Sequence, residues 1–123
     1  TKVTLIAPYR KALTAQVEST LAAYGIEVLD TRSLEVVDNT LVGRLDPARL
    51  LEVAADMDHS KAQALVISAC VQMPSLAVVE AAEQRFGRPV LSAATASVYT
   101  LLQELNIRPA IAGAGSLLRK EAA

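Results

Sequence analysis

Little in this chain can be cross-linked or stacked. It holds one cysteine, no tryptophan, three tyrosines and one phenylalanine. A single thiol cannot close an internal disulfide, so nothing points to a stapled, secreted fold. Aromatic residues are 3% of the chain and apolar residues 52%, so the core has to be aliphatic. Twelve basic and thirteen acidic residues leave a formal charge of −1, with no long run of either sign. Nucleic-acid binding and polybasic membrane attachment both need clustered Lys and Arg, and neither is expected here. No apolar stretch approaches the ~20 residues that span a bilayer. The opening "TKVTLIAPY" also lacks the charged-then-apolar layout of a secretory signal. These absences leave a soluble, cytoplasmic domain as the expectation. With 123 residues, one domain can bury a real core. A start at Thr1, with a strand-like run directly behind it, is expected either of a piece excised from something longer or of methionine removal before Thr.

What is present alternates strand with helix four times. "KVTLIA" (2–7) is short, apolar and closed by Pro8. Leu13, Val17 and Leu21 recur at helical spacing over 10–24, and Gly25 stands where a left-handed cap belongs. "IEVLDT" (26–31) alternates like an edge strand. Residues 33–45 have no strong period. Asp46-Pro47 opens a second helix as N-cap and first-turn proline, with Leu50, Leu51, Val53, Ala54 and Met57 for its buried face. "AQALVISA" (62–69) reads as a central strand covered on both faces. Pro74 and Ser75 start a third helix with Leu76, Val79, Ala82 and Phe86 inward and Gly87 at its end. "RPVLSAA" (88–94) is a fourth strand. Thr95 is the expected cap of a helix that turns Val98, Leu101, Leu102 and Leu105 to one side. Residues 107–123 hold a candidate fifth strand and a Gly-Ala-Gly turn. Strands alternating with helices of this length imply βαβ units. The expected fold is a three-layer Rossmann- or flavodoxin-like α/β domain with a four- to five-stranded, mainly parallel sheet.

A parallel sheet gathers the carboxyl ends of its strands on one rim, where ligands bind. Tyr9 follows the first strand. Asp38, Asn39 and Thr40 lie in the long loop after the second. Cys70, with Val71 and Gln72, ends the third, and Ser92 and Thr95 follow the fourth. Phenol, carboxamide and thiol thus converge by topology alone. Each has a plainer alternative. Free Cys is among the most buried residue types, Tyr9 suits a core edge, and Asn39 could satisfy its own loop. His59 reads as a solvated cap at the far end of the sheet. One Cys and one His make no metal site, and "GAGS" (113–116) is too little for a dinucleotide fingerprint.

"ALVISACVQMPSLAVVEAAEQRFGRPVLSAATASVYTLL", with "LIAPYRKALTAQVESTLAAYGIEVLD" before it and "GAGSLLRK" after it, resembles the second half of the bacterial maleate cis-trans isomerases. These belong to the aspartate/glutamate racemase superfamily, beside the arylmalonate decarboxylases. The run Cys70-Val71-Gln72-Met73-Pro74-Ser75 is the most specific part. The resemblance implies two pseudo-symmetric α/β halves with the active site between them and one cysteine from each. Residues 1–106 would be the half-domain carrying the second cysteine. Residues 107–123 would be a C-terminal segment with the missing first half as a candidate partner. It further implies Cys70 and Tyr9 as catalytic groups, with Tyr9, Asn39 and the backbone around Val71 and Gln72 as substrate-binding elements. The implied substrate is the small dicarboxylate maleate, without metal or organic cofactor. The implied partners are the missing half and further copies in a homo-oligomer. Alternatives are a decarboxylase or racemase on the same scaffold, or a non-catalytic flavodoxin-like domain in which Cys70 is merely buried.

Overall fold

The computed structural model describes residues 1–68 and 74–119, apart from the side chain of Asn39. The elements run β1 (Lys2–Ala7), α1 (Lys11–Ala23), β2 (Glu27–Ser33), α2 (Asn39–Val42), α3 (Pro47–Ala55), β3 (Ala64–Ile67), a 3-10 turn (Leu76–Val78), α4 (Val79–Phe86), β4 (Val90–Ser92) and α5 (Ala93–Glu104). The four strands are all parallel, in the order β2-β1-β3-β4. β1 and β3 are therefore central and β2 lies at an edge, as its half-buried alternation predicts. Leu29 is an extra residue in β2, because Val3 pairs with Val28 and Thr4 with Asp30. Such a bulge bends and twists an edge strand.

One core packs Ile6, Leu65, Ile67 and Val90 of the sheet against Leu50 and Ala54 of α3 and Val79 and Ala82 of α4. Val3, Leu5 and Ala7, alternating onto the other face of β1, are buried as well. Several ends follow local chemistry. Gly25 (φ 79°) lets Ile26 N–H reach Leu21 C=O and Gly25 N–H reach Ala22 C=O, closing α1 in a Schellman motif. Asp46 caps α3 by accepting from Ala48 N at 2.9 Å, and Gly87 ends α4 in the left-handed region.

Other expectations are corrected. α1 buries Thr14, not the Leu13 stripe; Leu13 is 46% exposed. The Thr14 hydroxyl is in reach of Ser33 Oγ (2.9 Å) on the edge strand, and that contact fixes which face turns inward. Leu76 is exposed too. The buried stripe is Ser75, Val78, Val79 and Ala82, the i, i+3, i+4, i+7 series that Leu76 does not join. Residues 33–45 contain a short helix, α2, capped by Asp38. The cap of α5 is Ser92, with Thr95 completing a reciprocal capping box. Leu101 and Leu105 lie on the exposed side of that helix. Residues 107–119 form no fifth strand; Ile111 N–H bonds Leu118 C=O (2.8 Å), and the loop between them lies on α4 with Ala114 and Leu118 buried.

His59 is the clearest reversal, since it is buried instead of solvated. Its Nε2–H donates to the carbonyl of Ala54 at 2.6 Å, and its Nδ1 shares a hydrogen bond with the Thr4 hydroxyl at 2.8 Å. The Phe86 ring packs beside it, with centroids 4.8 Å apart. One imidazole thus ties β1, the end of α3 and α4 together. Replacing it by alanine would take the ring partner from the buried Thr4 hydroxyl, leave the Ala54 carbonyl with only backbone donors and open a cavity. His59→Ala is expected to cost about 2–4 kcal/mol of folding free energy, read by urea denaturation.

Candidate active-site rim

The parallel ladder delivers all four strand ends to one side of the molecule. Past β1 and β2 the pairing continues through the loops. Leu34 N–H bonds Ala7 C=O (2.8 Å), Val36 N–H bonds Pro8 C=O (2.8 Å) and Glu35 N–H bonds Tyr9 C=O (3.1 Å). The Ser33 hydroxyl also donates to the Tyr9 carbonyl. Tyr9 is half-buried and its backbone is thereby fixed to the loop that leads to Asn39. Glu35 holds this connection at φ 54°, a conformation uncommon outside glycine that collects at functional sites. Asn39 is the first residue of α2, placed on the same side as Tyr9 by backbone alone. At β3, Ser68 N–H bonds Ile6 C=O (2.8 Å) and extends the ladder one residue past the strand. Cys70, Val71 and Gln72 lie outside the described residues.

Three polar side chains expected on the rim are already committed to the fold. Ser92 and Thr95 are buried and bond each other, with Thr95 N to Ser92 Oγ at 3.2 Å and Ser92 N to Thr95 Oγ1 at 2.9 Å. Asp38 accepts from the Thr40 hydroxyl (2.7 Å) and the Thr40 amide (2.9 Å), and these bonds hold its carboxyl below its usual pKa. A depressed carboxylate pKa means that the cap is intact at neutral pH and lost as acid protonates it.

A feature that sequence reasoning missed is Ser75. It is fully buried, and among the described residues its hydroxyl has no hydrogen-bond partner. It occupies the cap position of the 3-10 turn without capping it. The only sequence signal was its place, just after Cys70-Val71-Gln72-Met73-Pro74. Among the described residues no cluster of three or more His, Cys, Asp or Glu could hold a metal, and no helix is long and apolar enough to cross a membrane. Two described grooves, of about 600 and 440 Å³, lie at the other end of the sheet. One surrounds Gly87–Pro89 before β4 and the other Gly25–Val28 before β2. Neither opens on the rim.

A family profile described as arylmalonate decarboxylase matches residues 1–118. The chain belongs to that family. A maleate isomerase from Geobacillus stearothermophilus is 53% identical over 117 residues, covering 95% of this chain and 47% of that protein. Among solved structures, a cysteine-to-serine mutant of Nocardia farcinica maleate cis-trans isomerase, with a covalently bound succinylcysteine intermediate, matches with a TM-score of 0.93. Its identity is 46%, over 98% of this chain and 49% of that one. Arylmalonate decarboxylase matches with a TM-score of 0.82 at 22% identity, over 95% of this chain and 52% of that one; at that identity the likeness concerns the fold. The chain spans about half the length of the relatives it matches.

An unpaired buried hydroxyl offers the fold nothing. Ser75→Ala is therefore expected to leave stability unchanged or to raise it by up to about 1 kcal/mol in urea denaturation.

Proposed function

We propose that this chain supplies one half of a cofactor-independent maleate cis-trans isomerase site, with maleate converted to fumarate in a cleft shared with a first half. The observation that carries this reading is identity of 44–53% to maleate isomerases over nearly all of the chain, together with the position of Cys70 in the sequence directly after β3. The isomerisation needs the carbon–carbon double bond to become single for one rotation. A thiolate from the first half adds to one alkene carbon, and the electron pair moves toward the neighbouring carboxylate. Cys70 donates its proton to the adjacent carbon, giving an S-succinyl adduct free to rotate. Rotation brings the other hydrogen of that new CH2 to Cys70; its removal as a proton by the Cys70 thiolate and expulsion of the first-half thiolate release fumarate. Every atom and electron balances without metal or redox partner. The Nocardia mutant supports the thiol-addition step, since its succinylcysteine stands on a cysteine other than the one replaced by serine.

In this reading the Tyr9 hydroxyl and the Asn39 amide hydrogen-bond the carboxylate oxygens on which charge accumulates. The backbone amides of Val71 and Gln72 hold a carboxylate. The complete protein is a cytoplasmic homo-oligomer. A decarboxylase acting on an arylmalonate is the competing reading, favoured only by the family description. Incubating the complete two-half protein with maleate, an arylmalonate and aspartate, and identifying the products, separates the two and tests for racemisation as well. In a non-catalytic flavodoxin-like domain, Cys70 would alkylate no faster than an ordinary buried thiol.

Lacking a second thiol, the 123-residue chain by itself should convert maleate negligibly, and mixing with a first half should restore turnover. In the complete protein, Cys70→Ser should lower kcat about 10²–10⁴-fold, the range for loss of a general acid–base group. Near-full activity from the lone chain overturns the proposal.

A further inference from the structure

Helix α5 is largely uncovered. It rests on β4, yet its only buried residue is Thr95, which belongs to its own capping box. Val98, Leu101, Leu102 and Leu105 fall at i, i+3, i+4 and i+7 and so form one apolar stripe. Val98 and Leu102 are half-buried, whereas Leu101 and Leu105 are each 58% exposed. The apolar surface continues past the helix end. With Asn106 at φ 55°, Ile107 N–H reaches Leu102 C=O (2.8 Å) and Asn106 N–H reaches Gln103 C=O (3.0 Å). This Schellman motif folds the chain back toward the Leu102 turn and leaves Ile107 exposed.

Charge is missing from the same helix. Residues 93–103 contain no Asp, Glu, Lys or Arg. The exposed sides of the other long helices do carry charge, with Lys11 on α1, Arg49 and Glu52 on α3 and Arg85 on α4. Loss of charge around an apolar stripe marks the centre of a covered contact, and a helix of this length is marginal without packing on its apolar face. The described residues do not supply that packing. The relatives show where more chain is available, since this one covers 47% of the Geobacillus isomerase and 49% of the Nocardia chain. In each of them a segment of about equal size accompanies the matched half. α5 also starts at the Ser92 corner of the rim, so its surface is continuous with the cleft proposed above. We propose that the α5 stripe, extended by Ile107, is the surface on which the first half of the complete protein packs. The inference rests on the two-half reading and adds to it the place of contact.

The test uses the complete two-half protein and needs no assay of turnover. With the photo-crosslinker p-benzoylphenylalanine in place of Leu101, irradiation should join position 101 to a first-half peptide of the same chain, identified by mass spectrometry of the digest. Thr100 is exposed on the side of α5 away from the stripe, and the same probe there should give about fivefold less of that product or lower. Leu101→Asp should lower Tm by about 5 °C or more and Thr100→Asp by about 2 °C or less, because only the first places a charge inside a closed contact. A covalent dimer of two copies, a crosslink confined to residues 1–123, equal capture from positions 100 and 101, or equal losses of Tm would each overturn the proposal. Absence of fumarate while these contacts are found would overturn the isomerase reading and leave the docking surface standing.

Discussion

The constraint on which this structure turns is the parallel pairing of β1 on both its edges. Its backbone bonds β2 on one side and β3 on the other, and Leu5 and Ile6, pointing to opposite faces, are both fully buried. A strand so enclosed has no alternative partner for its amides and carbonyls, because burial without pairing is costly. Parallelism then forces every connection to cross back over the sheet, and so sends Tyr9, the 33–39 loop, Ser68 and the Ser92 corner to the same rim.

Around that rim the fold uses most of its polar side chains for itself. Ser92 and Thr95 close a helix end, Asp38 closes another, and Ser33 and Glu35 fasten the Tyr9 backbone. Among the described residues what remains is sparse: the half-buried Tyr9, Asn39 at the start of α2 and the buried Ser75 hydroxyl, which has no partner among them. A rim built on this plan is rigid where it joins the sheet. The chemistry proposed for it, one proton given and another taken, asks for placement more than for many groups.

The 111–119 segment shows how a chain end becomes part of the scaffold. Its backbone amides find carboxylates on α4 in place of a strand partner, so its polar groups are satisfied without widening the sheet. The helix gains in exchange a second wall where its own cap is absent. Glu83 joins three elements, β4 through Val90, the 111–119 segment through Ser116, and α4 on which it stands. Arg88, which lines the same groove as Glu83, similarly gathers the Ala62 and Ser60 carbonyls at 2.6 Å each.

Local chemistry was legible wherever it was complete in the sequence. The four strands, the Asp46-Pro47 start, the glycine ends at Gly25 and Gly87, and the family resemblance all followed from residues near one another, because caps, turns and apolar runs act over a few positions. The strand ends also gave the rim, since alternating strands and helices imply parallel pairing. Only the tertiary structure decided which helix faces are buried, turning Thr14 inward and Leu13, Leu76 and Leu101 outward. Only it made His59 a core tie, Ser92 and Thr95 mutual caps, and Glu83 the anchor of a distant loop. Such residues bond partners dozens of positions away, or depend on what stands across from a helix, and a one-dimensional pattern contains neither the partner nor the opposing surface.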